Sequence, residues 1–67
     1  MKTYERVLEY CKEEGISIYE FEKRCNIGNG TVGRWKNETS QPSIKTLTKI
    51  VSTTGTTMPY WFGGYDG

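Results

Sequence analysis

The sequence contains no histidine, and cysteine occurs only at Cys11 and Cys25. A Cys/His zinc site is therefore excluded, and the two cysteines do not have the spacing of a metal-ligand pair. Neither thiol has a plausible base beside it, and the carboxylates have the pattern of solvated helix faces rather than of a catalytic centre. We expect no metal, no cofactor and no enzymatic activity.

Long hydrophobic runs are missing as well. Hydrophobic residues make up 34% of the chain, and no run approaches the roughly 20 apolar residues that are needed to span a bilayer. The N-terminal run MKTYERVLEY lacks the apolar segment of a secretory signal. The sequence therefore predicts a soluble, cytoplasmic protein without a membrane partner. Cys11 and Cys25 are expected to be buried free thiols, with a disulfide between them as the alternative.

The chain also lacks a strong excess of charge of either sign. Its formal net charge is +1, and 67 residues are enough for one small domain, which we place at 1–67 with a flexible tail at 65–67. The charges are unevenly distributed, because acidic residues cluster in the first helical segment, whereas Lys45 and Lys49 are the only charged residues between positions 39 and 64. A locally basic face on a nearly neutral protein can still bind a nucleic acid.

An amphipathic helix is predicted over Thr3–Glu14. Its apolar residues recur at the i, i+3, i+4 and i+7 spacing of one helical face, at Tyr4, Val7, Leu8 and Cys11. Gly15 follows as a helix C-cap, because glycine adopts left-handed backbone without steric cost. We expect this helix to be a scaffold element rather than part of a binding site.

The segment 17–37, SIYEFEKRCNIGNGTVGRWKN, has the pattern of two short helices joined by a tight turn. Ser17 and Glu20 form a capping box, in which each side chain satisfies a backbone N–H group at the helix start. This second helix is expected to stop near Arg24 or Cys25, because Asn26 and Gly28 both tolerate left-handed backbone. Its predicted inward residues, together with the apolar residue of the turn, are Ile18, Phe21, Cys25 and Ile27.

A third helix is predicted at about 28–36, where Val32 and Trp35 continue a helical stripe three residues apart. Gly30 and Gly33 weaken this helix by up to about 1 kcal/mol each relative to alanine. Such a helix must be stabilised by packing against the rest of the protein, or be retained because of the side chains that it exposes. The same stretch spells G-x-G-x-x-G, but it follows a helical run instead of a strand, so it does not indicate a nucleotide-binding loop.

Two further helices complete the chain. Ser43, after Pro42, starts a helix that is expected to end at about Thr53 or Thr54, before Gly55. Its predicted inward residues are Ile44, Leu47, Ile50 and Val51. A last helical turn around Pro59 contains the aromatic residues Tyr60, Trp61 and Phe62. No strand pattern of useful length is present, so the sequence predicts an all-α fold, a compact bundle of five short helices with a central helix-turn-helix.

The run SIYEFEKRCNIGNGTVGRWKNETSQPSIKTLTKI resembles the lambda-repressor-like, Cro-type helix-turn-helix family. The resemblance covers residues 4–63 and depends on the capped second helix, the T-V-x-R-W run and the Gln-Pro-Ser start of helix four. It implies sequence-specific binding of double-stranded DNA by a bacterial or phage transcriptional regulator, with the recognition helix at about 28–36 in the major groove. It also implies a homodimer on a palindromic DNA operator.

The chain departs from the family pattern at several positions. Glu22 stands where the family usually has alanine, and we expect its carboxylate to reach solvent or a nearby lysine or arginine. Ile18 replaces a frequent phosphate-contacting glutamine, and Lys36 replaces a common glutamate. Asn26 replaces the usual turn glycine without penalty, because asparagine adopts left-handed backbone.

Carried over position by position, the family's base-reading sites fall on Asn29, Thr31 and Arg34, and Gly30 would allow close approach to the DNA. Arg34 can bind guanine O6 and N7 through two hydrogen bonds, and Asn29 can pair similarly with adenine. The resemblance implies phosphate contacts from backbone amides at helix N-termini and from a further set of side chains. Those residues are Ser17, Tyr19, Lys36, Asn37, Thr39, Ser40 and Lys45.

A second function is also open from the sequence. The near-neutral charge and the sparse base-reading face fit a helix-turn-helix module that binds another protein, of the antirepressor or antitoxin type, with weak or no DNA binding. Salt dependence separates the two functions, because binding to several phosphates weakens steeply with rising salt.

Overall fold

The computed structural model describes residues 3–36 and 41–62, the last of them through its backbone alone. All regular elements in these two ranges are helical: α1 (Thr3–Glu14), α2 (Ile18–Arg24), a 3-10 helix that we call η1 (Val32–Trp35), α3 (Ile44–Thr54) and α4 (Met58–Phe62). The predicted all-α class is confirmed, with a 3-10 helix as one of the five elements. Three predicted phosphate contacts and the predicted tail lie outside the described residues: Asn37, Thr39, Ser40 and 65–67.

The helix boundaries follow from capping residues that are visible in the sequence. Gly15 ends α1 with left-handed backbone, at a φ of 69°. Ser17 starts α2, since its Oγ accepts a hydrogen bond from the Glu20 N–H at 3.0 Å. Ser43 starts α3 in the same way, with its Oγ accepting from the Thr46 N–H at 3.1 Å. The predicted bounds of these helices are therefore confirmed.

One hydrophobic core receives residues from every element. α1 packs against α2, η1 and α4, and α3 packs against α4. Trp61 lies inside this core, where its ring centroid is 5.5 Å from that of Tyr10 and 5.8 Å from that of Phe21. Its indole N–H donates to Thr56 Oγ1 at 2.6 Å. The buried core residues are Val7, Cys11, Phe21, Cys25, Val32, Trp35, Leu47, Ile50 and Trp61.

Two residues predicted to face inward are exposed instead. Leu8 is 41% exposed, because the buried side of α1 follows Val7 and Cys11, and Leu8 lies at the edge of that side. Ile44 is 69% exposed. It is the first residue of α3, and helical side chains lean towards the helix N-terminus, which carries this side chain past the end of the core.

The two cysteines are free thiols in the core. Burial raises the pKa of Cys25 to about 11, although a hydrogen bond with Thr53 partly opposes the shift, and burial also raises the pKa of Cys11. Because the thiolate is the reactive form, we expect Cys25 in the native protein at pH 8 to react with a disulfide reagent roughly a hundredfold more slowly than in the unfolded chain. The reaction rate is measured from the absorbance of the thiolate that is released from the reagent. Its values with and without denaturant give this ratio. Equal rates in the two states would show that the thiol is accessible in the native fold.

Candidate nucleic-acid interface

The turn between α2 and η1 starts at Asn26. Its φ of 58° is the left-handed backbone that the sequence predicts. The next residue, Ile27, donates its N–H to the Glu22 carbonyl at 3.0 Å, which closes the end of α2. From α3, the Lys49 ammonium donates to the Asn26 carbonyl at 3.3 Å. The turn is therefore tied to both neighbouring helices, and the role of Lys49 was not predicted.

The carboxylate of Glu22 is buried, and the expectation that it reaches solvent or a basic side chain is wrong. The residue is 2% exposed. Its Oε1 accepts from the Gly30 N–H at 3.0 Å, and its Oε2 accepts from the Val32 N–H at 2.9 Å. The first N–H groups of a helix have no acceptor within the helix. Glu22 supplies that acceptor from another helix, in place of a local cap.

The predicted recognition helix at 28–36 is shorter and tighter than expected. Regular helical structure begins only at Val32 and has 3-10 geometry. Gly30 has a φ of 87°, which is outside the right-handed helical region and prevents an earlier start. Before η1, the Thr31 N–H donates to the Gly28 carbonyl at 3.1 Å and forms a separate turn. The predicted α-helix is therefore a turn followed by one turn of 3-10 helix.

The 3-10 geometry sorts the side chains of this segment into rows, because residues three apart lie above one another. Val32 and Trp35 form the buried row. Thr31 and Arg34 form a second row, in which the Arg34 Nη2 lies 3.5 Å from Thr31 Oγ1 and the arginine is exposed. Two of the three predicted base-reading residues therefore lie in one row, separate from the buried row of Val32 and Trp35.

The third predicted base-reading residue, Asn29, is exposed in the turn before η1. It lines a pocket of about 210 Å³ together with Tyr19, which is 60% exposed on α2. Lys23 also lines this pocket, although the sequence did not single it out. The pocket thus brings one predicted base contact and one predicted phosphate contact to the same part of the surface.

The remaining described phosphate candidates lie at helix ends. Ser17 is exposed at the start of α2, and its hydroxyl oxygen is engaged as the helix cap. Lys45 is exposed in the first turn of α3. Lys36 is exposed directly after η1, where its N–H donates to the Gly33 carbonyl at 3.3 Å. Each of the two lysines can therefore present its ammonium group to an anion.

The charges are strongly segregated within the described residues. From Gly15 onward the basic residues are Lys23, Arg24, Arg34, Lys36, Lys45 and Lys49, whereas the acidic residues are Glu20 and Glu22. Of these two acids, Glu22 directs its charge to backbone amides, and Glu20 pairs with Arg24 at 3.2 Å. The part of the protein that contains the helix-turn-helix therefore carries a local excess of positive charge, although the whole chain is close to neutral.

Two structural findings concern other kinds of site. In residues 3–36 and 41–62, no group of three or more cysteine, aspartate or glutamate residues is arranged to hold a metal ion. Each helix in the described part of the chain is too short or too polar to cross a lipid bilayer.

A capped helix, a left-handed turn and a second helical element with an exposed outer side together define a protein of the helix-turn-helix class. The amino-acid sequence from residue 7 to residue 61 matches the sequence model of a protein family described as Helix-turn-helix. The chain therefore belongs to the lambda-repressor-like helix-turn-helix family, a family of DNA-binding regulators that are typically not enzymes. Comparison with curated proteins and with solved structures finds no significant match.

Proposed function

We propose that this chain is a bacterial or phage transcriptional regulator that binds a specific double-stranded DNA operator, with the segment 28–36 in the major groove. The observation that carries the proposal is the arrangement of η1. Thr31 and Arg34 form one row along it, while Val32 and Trp35 form another row that anchors it in the core. Base readout needs side chains that project from a rigidly held element, and this arrangement provides one.

Each candidate base-reading residue has a chemistry that suits a base edge. The exposed guanidinium of Arg34 can donate two hydrogen bonds to guanine O6 and N7, and the amide of Asn29 can pair with adenine. The Thr31 hydroxyl can donate or accept. A Cβ atom added at Gly30 or Gly33 would have no heavy atom within 4 Å, so the space beside each glycine is open. That space supports close approach of the segment to the floor of the groove.

Affinity would come mainly from phosphate contacts on both sides of the recognition segment. Ser17 and Tyr19 would supply them from α2, and Lys36 and Lys45 would supply the charged ones. The two lysines are exposed, so their ammonium groups can displace counterions from the DNA without breaking a contact inside the protein.

Lys45→Ala is expected to weaken binding to all duplex sequences by a similar factor and to reduce the slope of log K against log salt by about 1 per protomer. The physical reason is the loss of one phosphate contact, which releases one fewer counterion. Fluorescence anisotropy of a labelled duplex, titrated at several salt concentrations, measures both quantities.

Lys12→Ala is the matched control, because it removes the same charge from an exposed position of α1. It should leave the slope unchanged apart from a small long-range effect. If Lys45→Ala and Lys12→Ala behave alike, Lys45 does not contact a phosphate.

We also propose that the protein binds its operator as a homodimer. Helix-turn-helix dimers place two recognition elements on half-sites about one helical turn apart, roughly 34–36 Å. Two copies would double the few base contacts that Asn29, Thr31 and Arg34 can make. A palindromic binding site with that spacing would support this arrangement.

The second candidate function, a module that binds another protein, is favoured by the near-neutral charge of the chain and by the small number of side chains that could read bases. The salt titration of the wild-type protein discriminates between the two. A steep loss of duplex binding between low and moderate salt supports the DNA-binding function, whereas the absence of measurable duplex binding at low salt supports the protein-binding module.

A further inference from the structure

We infer that Glu22 is the positioning residue of the base-reading segment. Its buried carboxylate attaches Gly30 and Val32 to α2 and thereby sets the orientation in which Asn29 and Thr31 are presented. The effect on DNA binding rests on the function proposed above. The effect on the geometry of the free protein does not.

Both carboxylate oxygens of Glu22 are used, at 3.0 Å to the Gly30 N–H and at 2.9 Å to the Val32 N–H. Hydrogen bonds to an ionised acceptor are roughly twice as strong as neutral ones. The two N–H groups lie on either side of Thr31 in the chain. Glu22 therefore fixes the backbone on both sides of Thr31, where the turn leads into η1.

The segment needs this support because η1 has little stability of its own. It is a four-residue 3-10 helix, and glycines stand at positions 30 and 33. Short 3-10 helices have poor hydrogen-bond geometry, and glycine lowers helical stability further. A base-reading side chain must be held to within about 0.5 Å of its productive position. Glu22 thus affects recognition without any contact with a base.

The same contacts restrict which groups can bind DNA phosphates. N–H groups at the start of a helical element commonly bind phosphate oxygens. Here the Gly30 and Val32 N–H groups already donate to Glu22. These two amides are therefore not available to DNA phosphates, so phosphate contacts would come from other groups, such as the exposed side chains of Lys36 and Lys45.

Glu22→Gln tests the inference in the free protein. The substitution keeps the shape of the side chain but replaces one acceptor oxygen with an NH2 group, which cannot accept from an N–H. We expect solvent exchange of the Gly30 and Val32 amides, measured by NMR, to accelerate roughly tenfold, equivalent to about 1.4 kcal/mol. The Leu47 amide, which donates to the Ser43 carbonyl at 2.9 Å, reports on global stability and should change much less.

Glu20→Gln is the matched control on the same helix. It removes one negative charge, but the Glu20 carboxylate bonds to Arg24 at 3.2 Å rather than to the recognition segment. Exchange of the Gly30 and Val32 amides should then stay at the wild-type rate.

DNA binding provides the second readout. With a positioning role, Glu22→Gln lowers affinity for the preferred duplex roughly tenfold, while affinity for unrelated duplex is unchanged or rises because a negative charge is lost. A residue needed only for stability would lower both affinities by the same factor, through the fraction of folded protein. The ratio of the two affinities therefore separates positioning from stability.

Each outcome of these experiments either supports or overturns the positioning role of Glu22. If Glu22→Gln does not fold, slow exchange of the exposed Gly30 amide in the wild-type protein supports the inference, and fast exchange overturns it. Unchanged exchange at Gly30 and Val32 in a folded variant also overturns it. If the wild-type protein has no preferred duplex, the proposed function fails, but the exchange rates still decide whether Glu22 orders the segment.

Discussion

Trp35→Ala is expected to leave the domain unfolded or barely stable at room temperature. The side chain is 5% exposed and is the larger of the two residues that anchor η1 in the core. Truncating a buried tryptophan costs about 3–5 kcal/mol. At 0.05–0.15 kcal/mol per residue, a domain of this size has roughly 3–10 kcal/mol in total. The variant therefore loses a large part of its stability, and towards the lower end of that range it loses all of it.

Circular dichroism during thermal and urea unfolding measures this loss. Tyr19→Ala is the matched control, since it truncates an aromatic side chain that is 60% exposed. Its stability should change by less than about 0.5 kcal/mol. A Trp35→Ala variant that melts cooperatively near the wild-type temperature would contradict the burial of η1 against the core.

Arg34→Ala is expected to cost about 1–3 kcal/mol of binding to the preferred duplex and to relax the preference at one base pair. Arg34 is exposed, and its nearest described side-chain contact is a long one, 3.5 Å to Thr31 Oγ1. The guanidinium is therefore free to form a two-point contact with guanine. Fold stability should be nearly unaffected, because the residue makes no contribution to the buried core.

Competition binding with duplexes altered at one position at a time measures the relaxed preference. Arg24→Ala is the control, because it removes the same charge from a half-exposed position on α2. It should weaken all duplexes to a similar and small extent. If Arg34→Ala leaves the ranking of duplexes unchanged, Arg34 does not read a base.

Most of the fold could be predicted because its signals are local. Ser17 and Ser43 each cap the next helix within three residues, and Gly55, with a φ of 71°, ends α3 as expected. Helical spacing identified most of the core, including Trp35. The misassigned residues Leu8 and Ile44 fit the helical period, but Leu8 lies at the edge of the buried side of α1 and Ile44 is the first residue of α3.

The structure of the recognition segment could not be predicted from such local rules. Glu22 bonds to residues eight and ten positions further along the chain, a separation at which helical periodicity carries no information. The penalty of Gly30 was visible in the sequence, but its φ of 87° depends on how the turn is tied to α2. An acidic residue in place of a small one, shortly before a glycine-rich helix start, is the signal that could have indicated a long-range cap.

The sequence predicted which segment contains the candidate site, but the roles of its individual residues remain predictions. The exposure of Asn29 and Arg34 agrees with a reading role, and that role stays a prediction. The assignments of Asn37, Thr39 and Ser40 also stay predictions, since these residues are not described. Lys23 and Lys49 were missed because an isolated lysine on a helix is usually a solvated charge, and only the tertiary structure shows what it approaches.

Selection of bound sequences from a random pool of DNA duplexes, at moderate salt, tests sequence-specific recognition most directly. For the wild-type protein we expect enrichment of a short motif that contains a guanine and an adenine at the contacted positions. The motif should be repeated with dyad symmetry at a spacing of about one helical turn. In a parallel selection with Arg34→Ala, the same motif should appear with one base pair degenerate. A wild-type protein that enriches no motif, under conditions in which it is folded, would contradict the proposal that this helix-turn-helix reads DNA.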